Sequence, residues 1–138
     1  MCAGGNGRIG AIMADETGGR AVLKVKAQVL RDGAIAIGPG KADLLEAIAR
    51  TGSIAAAGRA LGLSYRRTRD MINLLNACWQ APLVDTVRGG RQGGGTSLTA
   101  TGAEVLERYR KLEAALRQTA RDHGSGLIAL IRRVEEAP

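Results

Sequence analysis

Residues 52–76 read GSIAAAGRALGLSYRRTRDMINLLN, and the spacing of their apolar residues decides the fold. Ile54, Ala57 and Leu61 recur at i, i+3 and i+7 behind Ser53, an N-cap residue type, so a short helix is predicted through Ala60 or Leu61. Gly62 closes it. Leu63-Ser64 then opens a second helix with Ser64 as its cap, and Ile72, Leu75 and, just outside the quoted stretch, Trp79 mark its buried face. Two helices thus meet at a tight, glycine-containing turn, and the second is basic where it begins.

Upstream, Leu44, Leu45, Ile48 and Ala49 share one face of a helix expected from Lys41 to Thr51-Gly52, with Asp43 and Glu46 early and Arg50 late, as the helix dipole prefers. Before it, Val22–Arg31 alternates roughly with period two and Ala34–Ile37 is a second β-prone run. The Asp32-Gly33 between them is a hairpin signal, and Gly38-Pro39-Gly40 stops the second strand. Downstream, Pro82 is expected to end the third helix. Leu83–Arg88 and Thr96–Leu98 then read as two strands joined by GGRQGGG, a hairpin with a glycine-rich tip. Thr99 caps a long last helix in which Val105, Tyr109, Leu112, Leu116 and Thr119 are spaced by 4, 3, 4 and 3, a seam suited to pairing. Gly124-Ser125-Gly126 is expected to break that helix. Residues 1–20 read as a disordered leader, and 124–138 as a tail with apolar residues for another turn or two of helix.

Composition narrows the class. The chain has 138 residues, enough for one core, and is 45% apolar, but aromatics are 2% and Phe is absent, so aliphatic residues and Ala must fill the interior. Net charge is +7, concentrated between Ser53 and Gly95, where six Arg face two acids. A local arginine excess is what a phosphate-binding surface needs, although a basic face kept for solubility has the same composition. Cys2 and Cys78 form no metal or redox spacing. No apolar run reaches the roughly 18 residues of a membrane span, and no signal peptide is legible, so a cytoplasmic protein is expected. GGRQGGG lacks the Lys-Ser/Thr of a phosphate-binding loop, and the only histidine, His123, has no paired nucleophile. Neither an enzyme, a cofactor, a metal nor a small-molecule site is expected.

A helix-turn-helix with a basic second helix, followed at once by a glycine-tipped wing, points to double-stranded DNA as the partner. Rotating about 100° per residue from Ile72 sends Arg66, Arg67, Asp70 and Asn73 to the far side, with Arg69 on the border. Arg66, Arg67, Arg69 and Asn73 are the expected base readers, because Arg can fork onto guanine and Asn onto adenine. Ser53, Ser64, Arg88 and Arg91 are expected at phosphates, with plain capping open for the two serines and plain solvation for the two arginines. Tyr65 rotates toward the core side, so packing and a DNA contact both stand for it. Cys78 and Trp79 read as core or dimer contacts.

The stretch from Thr51 to Asn76, with LVDTVRGGRQGGGTSLTATG after it, resembles the N-terminal DNA-binding domain of the molybdate-responsive regulators of the ModE family, more distantly the LysR-type regulators. The marks are GSIAAA from Gly52, the Ser-Tyr-basic start at Ser64, Asn73 and Asn76, the glycine-rich wing, and Leu98-Thr99 with Gly102. The resemblance runs over about 22–123. It implies a homodimer held by the terminal helix, with two recognition helices set for a palindromic operator. No residue matches the family's oxyanion-binding motif, so no molybdate-binding domain is expected in this chain.

The reading is therefore a mainly α protein with small β elements: a winged helix-turn-helix over 21–98, a dimerisation helix over 99–123 built on Val105, Tyr109, Leu112, Leu116 and Thr119, and a tail. A sequence-specific transcriptional regulator is the expected function. The alternative from another class is a winged-helix module that pairs with a separate sensor chain; an acidic or apolar recognition face would favour it.

Overall fold

Serine and threonine hydroxyls start three of the four helices. In the computed structural model, which describes residues 11–14, 21–87 and 95–132, Ser53 accepts a hydrogen bond from the Ala56 N–H (3.0 Å) and begins α2 (Ile54–Leu61). Ser64 accepts from the Arg67 N–H (3.0 Å) and begins α3 (Tyr65–Cys78). Thr99 accepts from the Gly102 N–H (2.9 Å) and begins α4 (Ala100–Ile128). The remaining helix, α1 (Pro39–Thr51), has no side-chain cap and starts with Pro39, whose missing N–H costs nothing in a first turn. It therefore begins two residues before the expected Lys41.

Between α2 and α3 the chain reverses through Gly62 (φ 72°), a left-handed conformation that glycine adopts without a steric penalty. The helices cross where Gly58 meets Thr68. A Cβ on Gly58 would lie 2.5 Å from Thr68 Oγ1 and 3.2 Å from the Leu63 carbonyl oxygen, so no larger residue fits there without a shift. Thr68 is fully buried, and its hydroxyl is satisfied by donating to the Ser64 carbonyl (2.7 Å).

Helix α3 ends at Cys78, four residues short of Pro82, because the chain is already held from another direction. Asn76 Oδ1 accepts from the Leu83 and Val84 N–H groups (2.9 and 3.0 Å), and its Nδ2 donates to the Val84 carbonyl (3.2 Å). Trp79 consequently caps the helix in an extended conformation, half-buried, with its indole N–H donating to the Ala36 carbonyl (3.1 Å).

The strands form three separate antiparallel pairs. β5 (Val84–Val87) pairs with β6 (Gly95–Leu98) as the wing's base, and the Thr96 N–H donates to the Gly52 carbonyl (3.0 Å), fastening the wing to the end of α1. β3 (Val29–Arg31) and β4 (Ala34–Ile37) flank Asp32 and Gly33, which take φ of 51° and 84° as a tight two-residue hairpin requires. The expected single strand over 22–31 is thus two, because β2 (Val22–Val25) pairs elsewhere. Its partner is β1 (Ala11–Ala14), inside the stretch read as a disordered leader. Nothing local distinguishes those four residues; their backbone is satisfied by β2, which periodicity within 1–20 cannot reveal.

The core is aliphatic as composition requires, with Ile37, Leu44, Leu45, Ile48, Leu75 and Leu83 fully buried and Tyr109 as its aromatic member. Helix α4 lies along this body and continues past it. A Cβ on Gly102 would run into the Leu83 carbonyl, and one on Gly124 into the Leu23 side chain, so both glycines are points where α4 touches its neighbours closely. The expected break at Gly124-Ser125-Gly126 does not occur. Glycine lowers helix propensity by only about 1 kcal/mol, and packing against β2 offsets it.

Arg110 ties α4 to α1. Its guanidinium reaches Asp43 (2.9 Å), Glu46 (2.8 Å) and Glu113 (2.8 Å), and although burial works against its charge, the hydrogen bonds to Glu46, Asp43 and Glu113 raise its pKa. Beside it, the Tyr109 hydroxyl donates to the Ala27 carbonyl (2.8 Å), and burial, then the charge of Glu113, pushes its pKa well above 10.0.

Candidate nucleic-acid interface

An α-helix can enter a major groove only if its outward face is free of its own protein, and α3 meets that condition over its first half. Its buried residues are Thr68, Ile72 and Leu75. Opposite them, Arg66, Arg67, Arg69, Asp70 and Asn73 are all exposed. Among the described residues none of the three arginines has a carboxylate within 4 Å, so their charge is available to an outside anion. The backbone beneath them is fixed by the Ser64 cap and by the Gly58–Thr68 contact, which sets the angle at which α3 leaves the body.

Of the residues singled out in the sequence, Ser64, Arg66, Arg67, Arg69 and Asn73 come together on this one surface. Tyr65 joins them, with 53% of its surface exposed, so the core side inferred for it is corrected. The rotation from Ile72 fails there because α3 overhangs its support: its buried face begins at Thr68, and the first turn stands clear. Ser53 is half-buried at the start of α2, with its Oγ committed to the Ala56 N–H. Arg88 and Arg91 lie outside the described residues.

The pairing seam is divided. Val105 is packed against the chain's own core and Tyr109 is buried in it, whereas Leu112 (44% exposed) and Thr119 face outward and Leu116 is half-buried. A 4-3 spacing marks an apolar stripe without saying which body covers it, and here the body takes the first two positions. Beyond them Leu127, Leu130 and Ile131 are exposed as well. Sequence reasoning missed Thr68 and Asn76 as the side chains that position α3 and the wing. Thr68 is a poor core residue by type, and Asn76 reveals its role only once Leu83 and Val84 have folded back onto it.

Among the described residues no group of three or more His, Cys, Asp or Glu could hold a metal, and no helix is long and apolar enough to cross a membrane.

Residues 41–103 match the family described as bacterial regulatory helix-turn-helix protein, lysR family. The Molybdenum transport protein ModE of Azotobacter vinelandii is 50% identical over 70 residues, covering 51% of this chain and 26% of that protein. The Molybdenum-pterin-binding protein MopA of Rhodobacter capsulatus is 43% identical over 86 residues, covering 62% and 32%. The DNA-binding transcriptional dual regulator ModE of Escherichia coli (strain K12) is 37% identical over 84 residues, covering 61% and 32%. The matched segment therefore spans about a third or less of each of these relatives. Among solved structures, the chain titled "Crystal structure of CbnR_DBD-DNA complex" aligns with a TM-score of 0.49 at 30% identity, covering 63% of this chain and 95% of that one.

Proposed function

From the premise that residues 41–103 belong to the lysR family of bacterial regulatory helix-turn-helix proteins, we propose that this chain regulates transcription by binding double-stranded DNA with α3 in the major groove. The observation that carries the reading is the edge of Arg66, Arg67, Arg69 and Asn73, exposed on one side of a capped helix and, for the arginines, unpaired among the described residues. Arg66, Arg67, Arg69 and Asn73 are the base readers. Tyr65 and the Ser64 hydroxyl contact the DNA strand flanking them, Ser53 serves mainly as a cap, and Arg88 and Arg91 are assigned to phosphates. No step of this function needs an enzyme's chemistry.

The operator is read by a homodimer joined along α4 through Leu112, Leu116 and Thr119, so that two copies of α3 face a palindromic site. The exposure of Leu112 and the continuation of α4 to Ile128, with Leu127 exposed near its end, support that arrangement. Two of the relatives are named ModE, one as a molybdenum transport protein and one as a transcriptional regulator, which supports a regulatory role connected with molybdenum.

Selection of bound duplexes from random DNA, followed by binding titrations at two salt concentrations, tests the reading. One enriched palindromic sequence and a steep loss of affinity with salt are expected. No enrichment and no salt-dependent retention of DNA would remove it.

A further inference from the structure

Lys41, in the first turn of α1, lies outside the helix-turn-helix proper and carries no motif. In the fold it stands next to α3. With Ser64, Arg66, Arg67, Asp70, Met71 and Leu74 it lines an open hollow of about 370 Å³ between the start of α1 and the first three turns of α3. Three cations face one carboxylate there, and among the described residues no acid lies within 4 Å of Lys41, Arg66 or Arg67. Met71 and Leu74 give the hollow an apolar wall, which shields the charges less than open water does.

The charges here oppose one another. Lys41 is half-buried, and its pKa is lowered first by that burial and then by the charge of Arg67, with Cys78 acting weakly in the other direction. Two cations that share a hollow with no carboxylate within 4 Å of either raise the free energy of the unliganded surface, and an oxyanion set between them relieves it. Ser64 adds a donor: its Oγ accepts from the Arg67 N–H, and its own O–H remains able to donate outward. The N-terminal end of α3 adds positive potential at the same place.

Rotation about the α3 axis sets Arg67 apart from the base-reading edge, with Arg66 on the border between the hollow and that edge. At about 100° per residue, Arg66, Asn73 and Arg69 fall within a sector of about 60°, while Arg67 lies about 100° further round, beside Leu74 and toward α1. Arg67 and Arg66 are adjacent in sequence and point to different jobs.

We propose that this hollow is a site for a single phosphate, in which Lys41 and Arg67 hold one backbone phosphate of duplex DNA and Ser64 donates to it. The inference rests on the DNA-binding reading and sharpens it: Arg67 leaves the base readers, and α1 becomes part of the interface. The phosphate fixes the register of α3 in the groove, and the bases are left to Arg66, Arg69 and Asn73.

The test uses the full chain with Lys41→Met, which keeps the apolar stem, Lys41→Arg, which keeps the charge, and Lys24→Met as an exposed control on β2. Each is titrated with the selected duplex and with a random one over a range of salt. Loss of one phosphate contact lowers the slope of log K against log salt by about 0.9, equivalent to about fivefold in affinity at about 0.15 M salt. The expectation is that Lys41→Met and Arg67→Ala show this loss on both duplexes, while Lys41→Arg and Lys24→Met do not. An unchanged slope in Lys41→Met, or a loss confined to the selected duplex, overturns the phosphate site and leaves the DNA-binding reading standing. If the wild-type chain binds no DNA, that reading falls, and a titration with inorganic phosphate followed by NMR decides the site separately. Saturable shifts at the Ser64 and Arg67 amides, abolished by Lys41→Met, uphold an oxyanion site supplied by a free ion. No shift overturns it.

Discussion

Thr68 is a polar side chain with no solvent exposure, and its hydroxyl is satisfied one turn away at the Ser64 carbonyl while the same oxygen lies against Gly58. Single contacts of this kind set the geometry of α3, and glycines show how local the constraint is. Gly126 has nothing within 4 Å of where a Cβ would stand, so Gly126→Ala should stabilise the fold by about 0.5–1 kcal/mol through helix propensity alone. Gly102, two residues into α4, is the opposite case: Gly102→Ala forces a methyl group onto the Leu83 carbonyl and should cost about 1–3 kcal/mol or more. Urea unfolding of the two variants checks both signs. The caps at Ser53, Ser64 and Thr99 were legible because a cap is written in adjacent residues. Tyr65 was misplaced because rotation from Ile72 assumes support along the whole helix, and Lys41 was missed because no local pattern announces that α1 begins beside Arg67.

At the scale of elements, the joints matter more than the elements. Asn76 closes three hydrogen bonds between α3 and the start of β5, so Asn76→Ala leaves the Leu83 and Val84 N–H groups without their partner. A loss of about 1–3 kcal/mol is expected, with faster amide hydrogen exchange in β5 and β6 than in α1. The joint between α4 and the rest has a pH signature. Tyr109 is held neutral by burial and by Glu113, so its folded pKa lies above its unfolded value of 10.0. Its contribution is complete below that value and is lost as pH climbs through the range above it, because the unfolded chain ionises first. Denaturant unfolding between pH 9 and 11 should show that decline, and Tyr109→Phe should start about 1 kcal/mol less stable at neutral pH yet decline less. The periodicity of α1, α2 and α3 was readable from sequence since each buries one stripe. The pairing of β1 with β2 and the passage of α4 through Gly124 were not, because both depend on contacts between residues far apart in the chain.

The whole molecule combines a positive face around α3 with a long helix whose outer side retains Leu112 and, at its end, Leu127. Charge distribution and motif order made the first legible in the sequence. The second was half legible: the 4-3 spacing of Val105 to Thr119 is real, but Val105 and Tyr109 serve this chain's own core, which leaves Leu112, Leu116 and Thr119 for the proposed dimer. Leu112→Asp should therefore shift sedimentation from dimer to monomer without lowering the helical signal, and weaken binding to a two-half-site duplex far more than to one half-site. The central claim is that the edge carried by α3 reads bases, and the most direct measurement is the affinity of Arg66→Ala for the selected duplex and for random DNA under identical salt. A good bidentate base contact is worth about 1–3 kcal/mol, so the variant should lose roughly five- to 150-fold on the selected duplex and much less on random DNA. Equal losses on the two would contradict the account.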